Sequence, residues 1–170
     1  KENPTVATYA SLGKVKLRIT AKGINLKEAR KKIEPIEKEL VKLTGSKCYG
    51  ENNQTIEELV IKMLINNKET LAVAESCTGG DLASALVKVP GSSKAFSGGI
   101  IAYNNSIKQE LLEVAEEIIT KYGAVSSQVV EAMSEGVQRT FKVNWAISIS
   151  GIAGPSGGSK DKPIGLVNFC

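Results

Sequence analysis

The chain has 170 residues, enough for one large domain or two small ones with a hydrophobic core. Its 42% hydrophobic and 24% charged residues are typical of a globular protein. It has no histidine, which excludes Ser-His-Asp and Cys-His catalysis, imidazole metal sites and a histidine general base. No apolar run or signal segment predicts membrane association. Three cysteines without a CxxC pair predict reduced thiols, no thiolate metal site and a cytoplasmic location.

Charge divides the chain into two parts. Residues 1–68 carry 14 basic and 8 acidic side chains, a net charge of +6. Residues 69–170 carry 8 basic and 10 acidic side chains, a net charge of −2. The difference predicts two regions with separate electrostatic roles. Aromatic residues make up only 5% of the chain, which argues against extensive stacking platforms for single-stranded nucleic acid.

The first region begins with an irregular lead, residues 1–13, that has the composition of a linker. Lys14–Thr20 then alternates polar and apolar residues with period two. This alternation predicts a half-buried strand in which Val15, Leu17 and Ile19 face a core and the cations face water.

A helix follows this strand. Asn25 and Glu28 have the spacing of a capping pair, and an apolar stripe at helical spacing comes after them. We expect Pro35 to kink or split the helix, Gly45 to end it, and a short strand to form at residues 47–49. Such a small β-α-β unit buries little by itself.

The second region alternates strands and helices, opening with a capping box at Thr55 and Glu58. Strands separated by helices predict a mostly parallel sheet covered on both faces. Predicted strands are 70–74, 99–103, 144–149 and 164–169; predicted helices after the first are 81–89, 106–114 with Ser106 as its cap, 116–122, and one from Ser126 or Ser127 to 140.

Ligands of such sheets bind beyond the carboxyl ends of the strands, and three unusual segments follow strands here. Ser76–Gly80 is a strand-to-helix turn whose amides favour an anion at a helix N-terminus. It is not a P-loop, and an ordinary βα turn also uses glycine.

Tyr103 ends a strand, and Lys108 lies in the first turn of the next helix, where the dipole and burial lower the pKa of a lysine. Ser150–Gly158 contains four glycines, which supply amides for an anion or form a flexible loop.

A nucleophile without histidine needs another base, and a Ser-Lys pair fits these segments. A neutral lysine takes the hydroxyl proton and a tyrosine relays or orients it. Cys77 is the rival nucleophile, or else a small core residue. Spacing alone does not choose between Ser76 and Cys77.

Four motifs occur in one order, and as a set they resemble the C-terminal domain of the CinA (competence-damage-inducible) family. Residues 1–50 resemble the small α+β KH-like middle domain of the same family. The resemblance divides the chain into domains at 1–50 and 51–170. The four motifs are residues 74–80, 102–108, 123–126 and 148–155.

The resemblance implies a three-layer α/β/α sandwich and a nicotinamide-nucleotide amidase of pyridine nucleotide salvage. Such an enzyme converts nicotinamide mononucleotide to nicotinic acid mononucleotide and ammonia, and it requires no metal or organic cofactor. Ser76 matches the family's nucleophile, Lys108 its general base and Tyr103 its assisting hydroxyl. The residues that match its substrate pocket are Thr78, Gly79, Gly80, Ser150, Gly151 and Gly154.

The resemblance also bears on partners. It implies a small nucleotide as substrate and favours a homodimer. KH domains grip nucleic acid with a GXXG loop, and none occurs in residues 1–50, so we expect no specific nucleic-acid binding. Family domains continue past the position of Cys170, which makes the activity of this chain an open question. A nucleic-acid-binding module and a non-catalytic scaffold are the alternative functions.

Overall fold

The computed structural model describes residues 3–170, and the chain divides into two compact units, Lys1–Glu51 and Asn52–Cys170. None of the described helices combines the length and apolar character needed to cross a bilayer. The strands are β1 Thr5–Ser11, β2 Lys14–Thr20, β3 Leu71–Glu75, β4 Phe96–Ile101, β5 Trp145–Gly151 and β6 Val167–Phe169; the helices are α1 Leu26–Thr44, α2 Ile56–Asn67, α3 Asp81–Val87, α4 Asn105–Leu112, α5 Glu116–Tyr122 and α6 Ser127–Phe141, with 3₁₀ turns at Gly45–Lys47 and Ser92–Lys94.

The first unit opens with an antiparallel hairpin. β1 pairs with β2 along its whole length, from Thr5 opposite Thr20 to Ser11 opposite Lys14. Gly13 takes a left-handed conformation in the tight connection, with φ of 75°. The prediction of an irregular lead over residues 1–13 is therefore wrong for the residues of β1, and residues 1–2 lie outside the described part. β1 has only a weak local signal, because its stability comes from pairing with β2.

Helix α1 begins and ends at the predicted residues. The Asn25 side chain accepts the Glu28 N–H at 2.9 Å, while the Glu28 carboxylate accepts the Ile24 N–H at 2.8 Å. Gly45 is the C-cap. The expected split at Pro35 is absent, since the helix continues to Thr44. Pro35 is exposed, so its ring meets solvent and the helix loses only the hydrogen bond of the missing N–H.

The first unit has little core, as expected for its size. No residue from 3 to 51 is buried. Val15 is 64% exposed, so its predicted position facing a core is wrong, whereas Leu17 and Ile19 are partly buried. The strand expected at residues 47–49 is also absent, because a 3₁₀ turn extends α1 there. The unit is therefore β-β-α and not β-α-β.

The second unit contains a four-stranded sheet in the order β4-β3-β5-β6. β3 is parallel to both β4 and β5, and β6 is antiparallel to β5. This confirms a mostly parallel sheet. The last strand is shorter than predicted, with three residues.

Helices cover both faces of this sheet, which confirms the three-layer arrangement. Side chains of β3 alternate between the two cores, as the pleat requires. Ala72 and Ala74 pack with α4, α5 and α6, while Leu71 and Val73 pack with α2 and α3. All four are buried, which explains the continuous apolar run of this central strand.

The caps of the second unit largely follow the sequence. The Thr55–Glu58 capping box is present at the start of α2. Ser126 caps α6, and Gly123 ends α5. The predicted cap of α4 is wrong: Asn104 caps this helix by accepting the Ser106 N–H at 3.0 Å.

Several element ends also differ from the prediction. α3 ends two residues earlier than expected, at Val87. β4 begins three residues earlier than expected, at Phe96. β5 continues through Ser150 and Gly151, which were expected in the loop. β3, β4 and β5 are parallel, so their carboxyl ends at Glu75, Ile101 and Gly151 share one edge of the sheet.

Candidate functional site

Ser76 lies immediately after β3 at this edge. Its N–H donates to the Ile149 carbonyl at 2.9 Å, and its own carbonyl accepts the Gly79 N–H at 3.1 Å. The residue is 7% exposed. Its hydroxyl lies 3.3 Å from Lys108 Nζ. The structure therefore brings the predicted nucleophile and the predicted base together.

Lys108 is the fourth residue of α4 and is 1% exposed. Its Nζ donates to the Ala102 carbonyl at 2.7 Å and to the Tyr103 carbonyl at 3.2 Å. Within residues 3–170, Lys108 forms no ion pair. Burial lowers the pKa of Lys108 below the ordinary lysine value, with a smaller opposing effect from Cys77.

These three contacts also determine how a deprotonated Lys108 amine would be oriented. A neutral amine has two N–H donors and one lone pair. The carbonyls of Ala102 and Tyr103 accept the two N–H groups, so the lone pair is left for the third neighbour, the Ser76 hydroxyl. In a deprotonated Lys108 the hydroxyl would therefore donate to the amine, which is the geometry that a general base requires, whereas the ammonium form donates to all three oxygens.

On the opposite face of β3, Glu75 is 1% exposed. Its carboxylate accepts N–H groups of Gly80 at 3.2 Å, Leu82 at 3.0 Å and Ala83 at 2.7 Å. The anion at the N-terminus of α3 is therefore the protein's own carboxylate. The N–H groups of Gly79 and Gly80 are both bonded within the chain, so a role for these glycines toward substrate stays a prediction.

The turn between Ser76 and Gly79 holds polar groups that have no oxygen partner, although two of its N–H groups face the Cys77 sulfur. Within the described residues, the N–H groups of Cys77 and Thr78 make no hydrogen bond to a backbone or side-chain oxygen. The Thr78 hydroxyl oxygen is buried and also lacks a partner there. Buried polar groups are nearly always hydrogen-bonded, so an unpartnered hydroxyl beside a nucleophile agrees with the predicted contact to substrate.

Cys77 packs against the end of β5. A Cβ atom on Gly151 would lie 2.8 Å from Cys77 Sγ, so glycine at 151 lets this turn approach the strand. Burial raises the pKa of the Cys77 thiol. The N–H groups of Cys77 and Thr78 and the charge of Lys108 act in the opposite direction, and Glu75 adds to the rise.

The glycine-rich segment is fastened to the turn between α5 and α6. Ser150, which is 2% exposed, donates its hydroxyl to the Ala124 carbonyl at 2.8 Å. Lys162 Nζ donates to the carbonyls of Tyr122 and Val125 on the same turn. The Ser150 side chain thus joins two of the four motifs, and the role of Ser150 toward substrate stays a prediction.

Among the described residues, neither the Tyr103 hydroxyl nor Gly154 forms a hydrogen bond with the Ser76 hydroxyl. Tyr103 is 75% exposed and reaches Lys108 through its carbonyl; its hydroxyl bonds to none of the residues described. Gly154 takes φ of 79° and packs so closely on Ile164 that a Cβ atom would lie 2.7 Å from it. The predicted roles of the Tyr103 hydroxyl and of Gly154 stay predictions.

Sequence reasoning missed Glu75, the Ala102 carbonyl and Lys162. Glu75 had a recognisable signal, because a carboxylate that ends an apolar strand just before a helix is placed to meet that helix's free N–H groups. The contacts of Lys162 had no recognisable signal in the sequence. Among residues 3–170, no group of three or more cysteine, aspartate or glutamate side chains is placed to hold a metal ion.

Comparison with known proteins identifies the family of this chain. The family model for the CinA C-terminal domain matches residues 53–170, and that for the damage-inducible protein CinA KH domain matches residues 1–50. A CinA-like protein from Prochlorococcus marinus (strain NATL1A) is 68% identical over 99% of this chain. One from Parasynechococcus marenigrum (strain WH8102) is 51% identical over 98%. The chain spans 39% and 40% of the length of these relatives.

Solved structures share the fold. Competence/damage inducible protein CihA from Agrobacterium tumefaciens is 36% identical, with a TM-score of 0.63 over 71% of this chain and 75% of that one. A CinA superfamily protein from Escherichia coli is 32% identical, with a TM-score of 0.65 over 71% and 72%. The matches confirm the resemblance carried by the four motifs. The chain therefore belongs to the CinA family and contains its KH domain and its C-terminal domain.

Proposed function

We propose that this chain hydrolyses the carboxamide of nicotinamide mononucleotide to nicotinic acid mononucleotide and ammonia. Family membership and the Ser-Lys geometry together support this reaction. The observation that carries the proposal is the buried Lys108 amine, 3.3 Å from the Ser76 hydroxyl and held by two carbonyls.

In the first step, the Ser76 oxygen attacks the carboxamide carbon while Lys108 takes the hydroxyl proton. The carbonyl oxygen becomes an oxyanion, and the N–H groups of Cys77 and Thr78, which bond to no oxygen among the described residues, stabilise it in this proposal. The N–H of the residue after a nucleophile serves this purpose in other hydrolases. Protonated Lys108 then gives its proton to the leaving nitrogen, the C–N bond breaks, and ammonia departs.

In the second step, water attacks the ester on Ser76. Lys108, again neutral, takes a proton from the water and returns it to the serine oxygen as the ester bond breaks. The acid product leaves and Ser76 is restored. The Tyr103 hydroxyl assists proton movement at the exposed side of the site, as the family resemblance implies.

The geometry favours Ser76 over Cys77 as the nucleophile. Lys108 Nζ bonds the serine hydroxyl, whereas Cys77 Sγ lies against Gly151. Burial also raises the pKa of the thiol, which reduces its thiolate fraction near neutral pH.

Four variants test the assignment: Ser76→Ala, Cys77→Ala, Tyr103→Phe and Lys108→Ala. We expect Ser76→Ala and Lys108→Ala to lose most of the turnover, since removal of a general base costs about 10²–10⁴-fold. Tyr103→Phe is expected to be intermediate and Cys77→Ala nearly as active as the parent. The measurement is ammonia release from nicotinamide mononucleotide.

The assay uses this chain and a version extended to the length of its relatives, because the chain spans 39% of the NATL1A protein. Activity retained in Ser76→Ala but lost in Cys77→Ala would replace the mechanism with a Cys-Lys amidase. No ammonia release from either length of chain would exclude the proposed reaction and favour a non-catalytic scaffold.

A further inference from the structure

We propose that Glu75 is a positioning residue, which holds the turn after β3 so that the N–H groups of Cys77 and Thr78 stay aligned with Ser76. The idea rests on the proposed function in one respect, namely that this turn carries the nucleophile. Glu75 lies on the α3 face of the sheet and does not contact Lys108 or the Ser76 hydroxyl. Any effect on the reaction therefore passes through the turn.

The contacts of Glu75 close the turn into a ring. Its carboxylate binds N–H groups five, seven and eight residues further along the chain. A carboxylate that is 1% exposed and has no cationic partner among the described residues depends on these donors, because burial without them is costly. The side chain and the first turn of α3 therefore hold each other in place.

Only a short segment lies between the two fixed ends. Ser76 is held by its N–H bond to the Ile149 carbonyl, and Gly80 is held by Glu75. Between them, Cys77 and Thr78 carry two amides that bond to no oxygen among the described residues, and Thr78 carries the unpartnered hydroxyl. Two backbone hydrogen bonds also restrain this segment, from the Gly79 N–H to the Ser76 carbonyl at 3.1 Å and from the Asp81 N–H to the Thr78 carbonyl at 3.2 Å. Without Glu75, the two amides are expected to move relative to the Ser76 hydroxyl.

Glu75→Gln and Glu75→Asp test this, with Asp81→Asn as the matched control. Glu75→Gln keeps one acceptor oxygen but loses the charge-assisted bonds. Glu75→Asp keeps the charge but withdraws the carboxylate by about 1.5 Å. Asp81 is an exposed carboxylate in the first turn of the same helix. Its replacement changes the charge by the same amount without breaking these contacts.

The first readout is alkylation of Cys77 by iodoacetamide, followed by peptide mass spectrometry. Cys77 is partly buried, whereas Cys48 and Cys170 are exposed and serve as internal references. We expect both Glu75 variants to alkylate Cys77 several-fold faster at an unchanged reference rate, and Asp81→Asn to match the parent. A faster rate in Glu75→Asp cannot come from loss of charge, because that variant retains it.

The second readout is the kinetics of ammonia release. We expect kcat to fall by about tenfold or more in both Glu75 variants, with a smaller change in KM, because a small misplacement of reacting groups costs up to about 10²-fold. The proposal is overturned if Glu75→Asp, folded by circular dichroism, leaves both Cys77 alkylation and kcat unchanged. Faster alkylation in chains without deamidase activity would retain the positioning role and reject the proposed reaction. If Glu75→Gln does not fold, Glu75→Asp decides the question alone.

Discussion

Two strand-to-helix connections at one edge of the sheet bury one acidic and one basic side chain in different ways. In the β3–α3 connection, the Glu75 carboxylate accepts three backbone N–H groups of the helix that follows. In the β4–α4 connection, the Lys108 amine lies back against the two carbonyls that precede its own helix. Both side chains are 1% exposed. The two side chains are therefore equally buried, but Glu75 contacts N–H groups and Lys108 contacts carbonyl groups.

The difference follows from the polarity of a helix N-terminus. Free N–H groups and the positive end of the dipole suit a carboxylate there and disfavour an ammonium. Glu75 is therefore matched to its connection and Lys108 is not. Desolvation lowers the pKa of Lys108 accordingly. The β3–α3 connection thus holds its buried group with three donors, whereas burial in the β4–α4 connection favours the neutral form of the proposed base.

The largest expected effect comes from removing the Lys108 amine. Lys108→Met keeps an unbranched side chain of similar length but has no amine to accept the Ser76 proton. We expect ammonia release from nicotinamide mononucleotide to fall by about 10²–10⁴-fold. In the parent, activity is expected to rise with pH as Lys108 loses its proton, at a midpoint below the ordinary lysine value of 10.5. The residual activity of Lys108→Met is expected to lack this rise.

Lys94→Met is the matched control for this experiment, because Lys94 is exposed and lies in the 3₁₀ turn before β4. Its activity and pH profile are expected to match those of the parent. An unchanged pH profile in Lys108→Met, or equal losses in both variants, would contradict the role of Lys108 as the base.

A smaller effect is expected from crowding the β3–α3 turn. In Gly151→Ala the new methyl group would lie 2.8 Å from Cys77 Sγ and 2.8 Å from the Leu166 carbonyl, so the turn or the strand must shift. Overpacking of this kind costs about 1–3 kcal/mol. We expect a lower free energy of unfolding, measured by urea denaturation, together with reduced ammonia release.

The double variant Gly151→Ala with Cys77→Ala separates the two clashes. Removing the sulfur relieves one of them and leaves the contact with the Leu166 carbonyl, so partial recovery of stability is expected. Complete additivity of the two single effects would show that Cys77 does not press on Gly151, contrary to the packing of the turn.

Much of the second unit could be predicted from its sequence. The Thr55 capping box, the Ser126 cap and the end of α5 at Gly123 are local signals, and the structure has all three. The proximity of Ser76 and Lys108 also follows from topology, since parallel strands bring the residues after their carboxyl ends to one edge.

The sequence could not reveal contacts that leave no hydrophobic periodicity and whose partners lie far apart along the chain. β1 depends on its pairing with β2. β6 pairs antiparallel with β5, and the apolar run of β6 does not indicate whether the strand is parallel or antiparallel to its neighbour. The bond from Ser150 to the Ala124 carbonyl joins residues 26 positions apart. For Lys108, the sequence indicates a position on α4, but the two carbonyls that orient its amine appear only when the β4–α4 connection is folded.

The smallest expected effect is the contribution of the buried Lys108 to the pH dependence of the free energy of unfolding. Because the pKa of Lys108 is lowered in the folded chain, the unfolded chain binds more protons at this position between the lowered pKa and the ordinary value of 10.5. The free energy of unfolding of the parent therefore rises with pH in that window, relative to Lys108→Met, by at most about 1.4 kcal/mol per pH unit. Below the lowered pKa both states are protonated and the difference is constant. Urea denaturation of both proteins from pH 7 to 10 measures it. A difference that stays flat or falls across this range would show that the connection holds Lys108 as an ammonium, and the contrast with Glu75 would disappear.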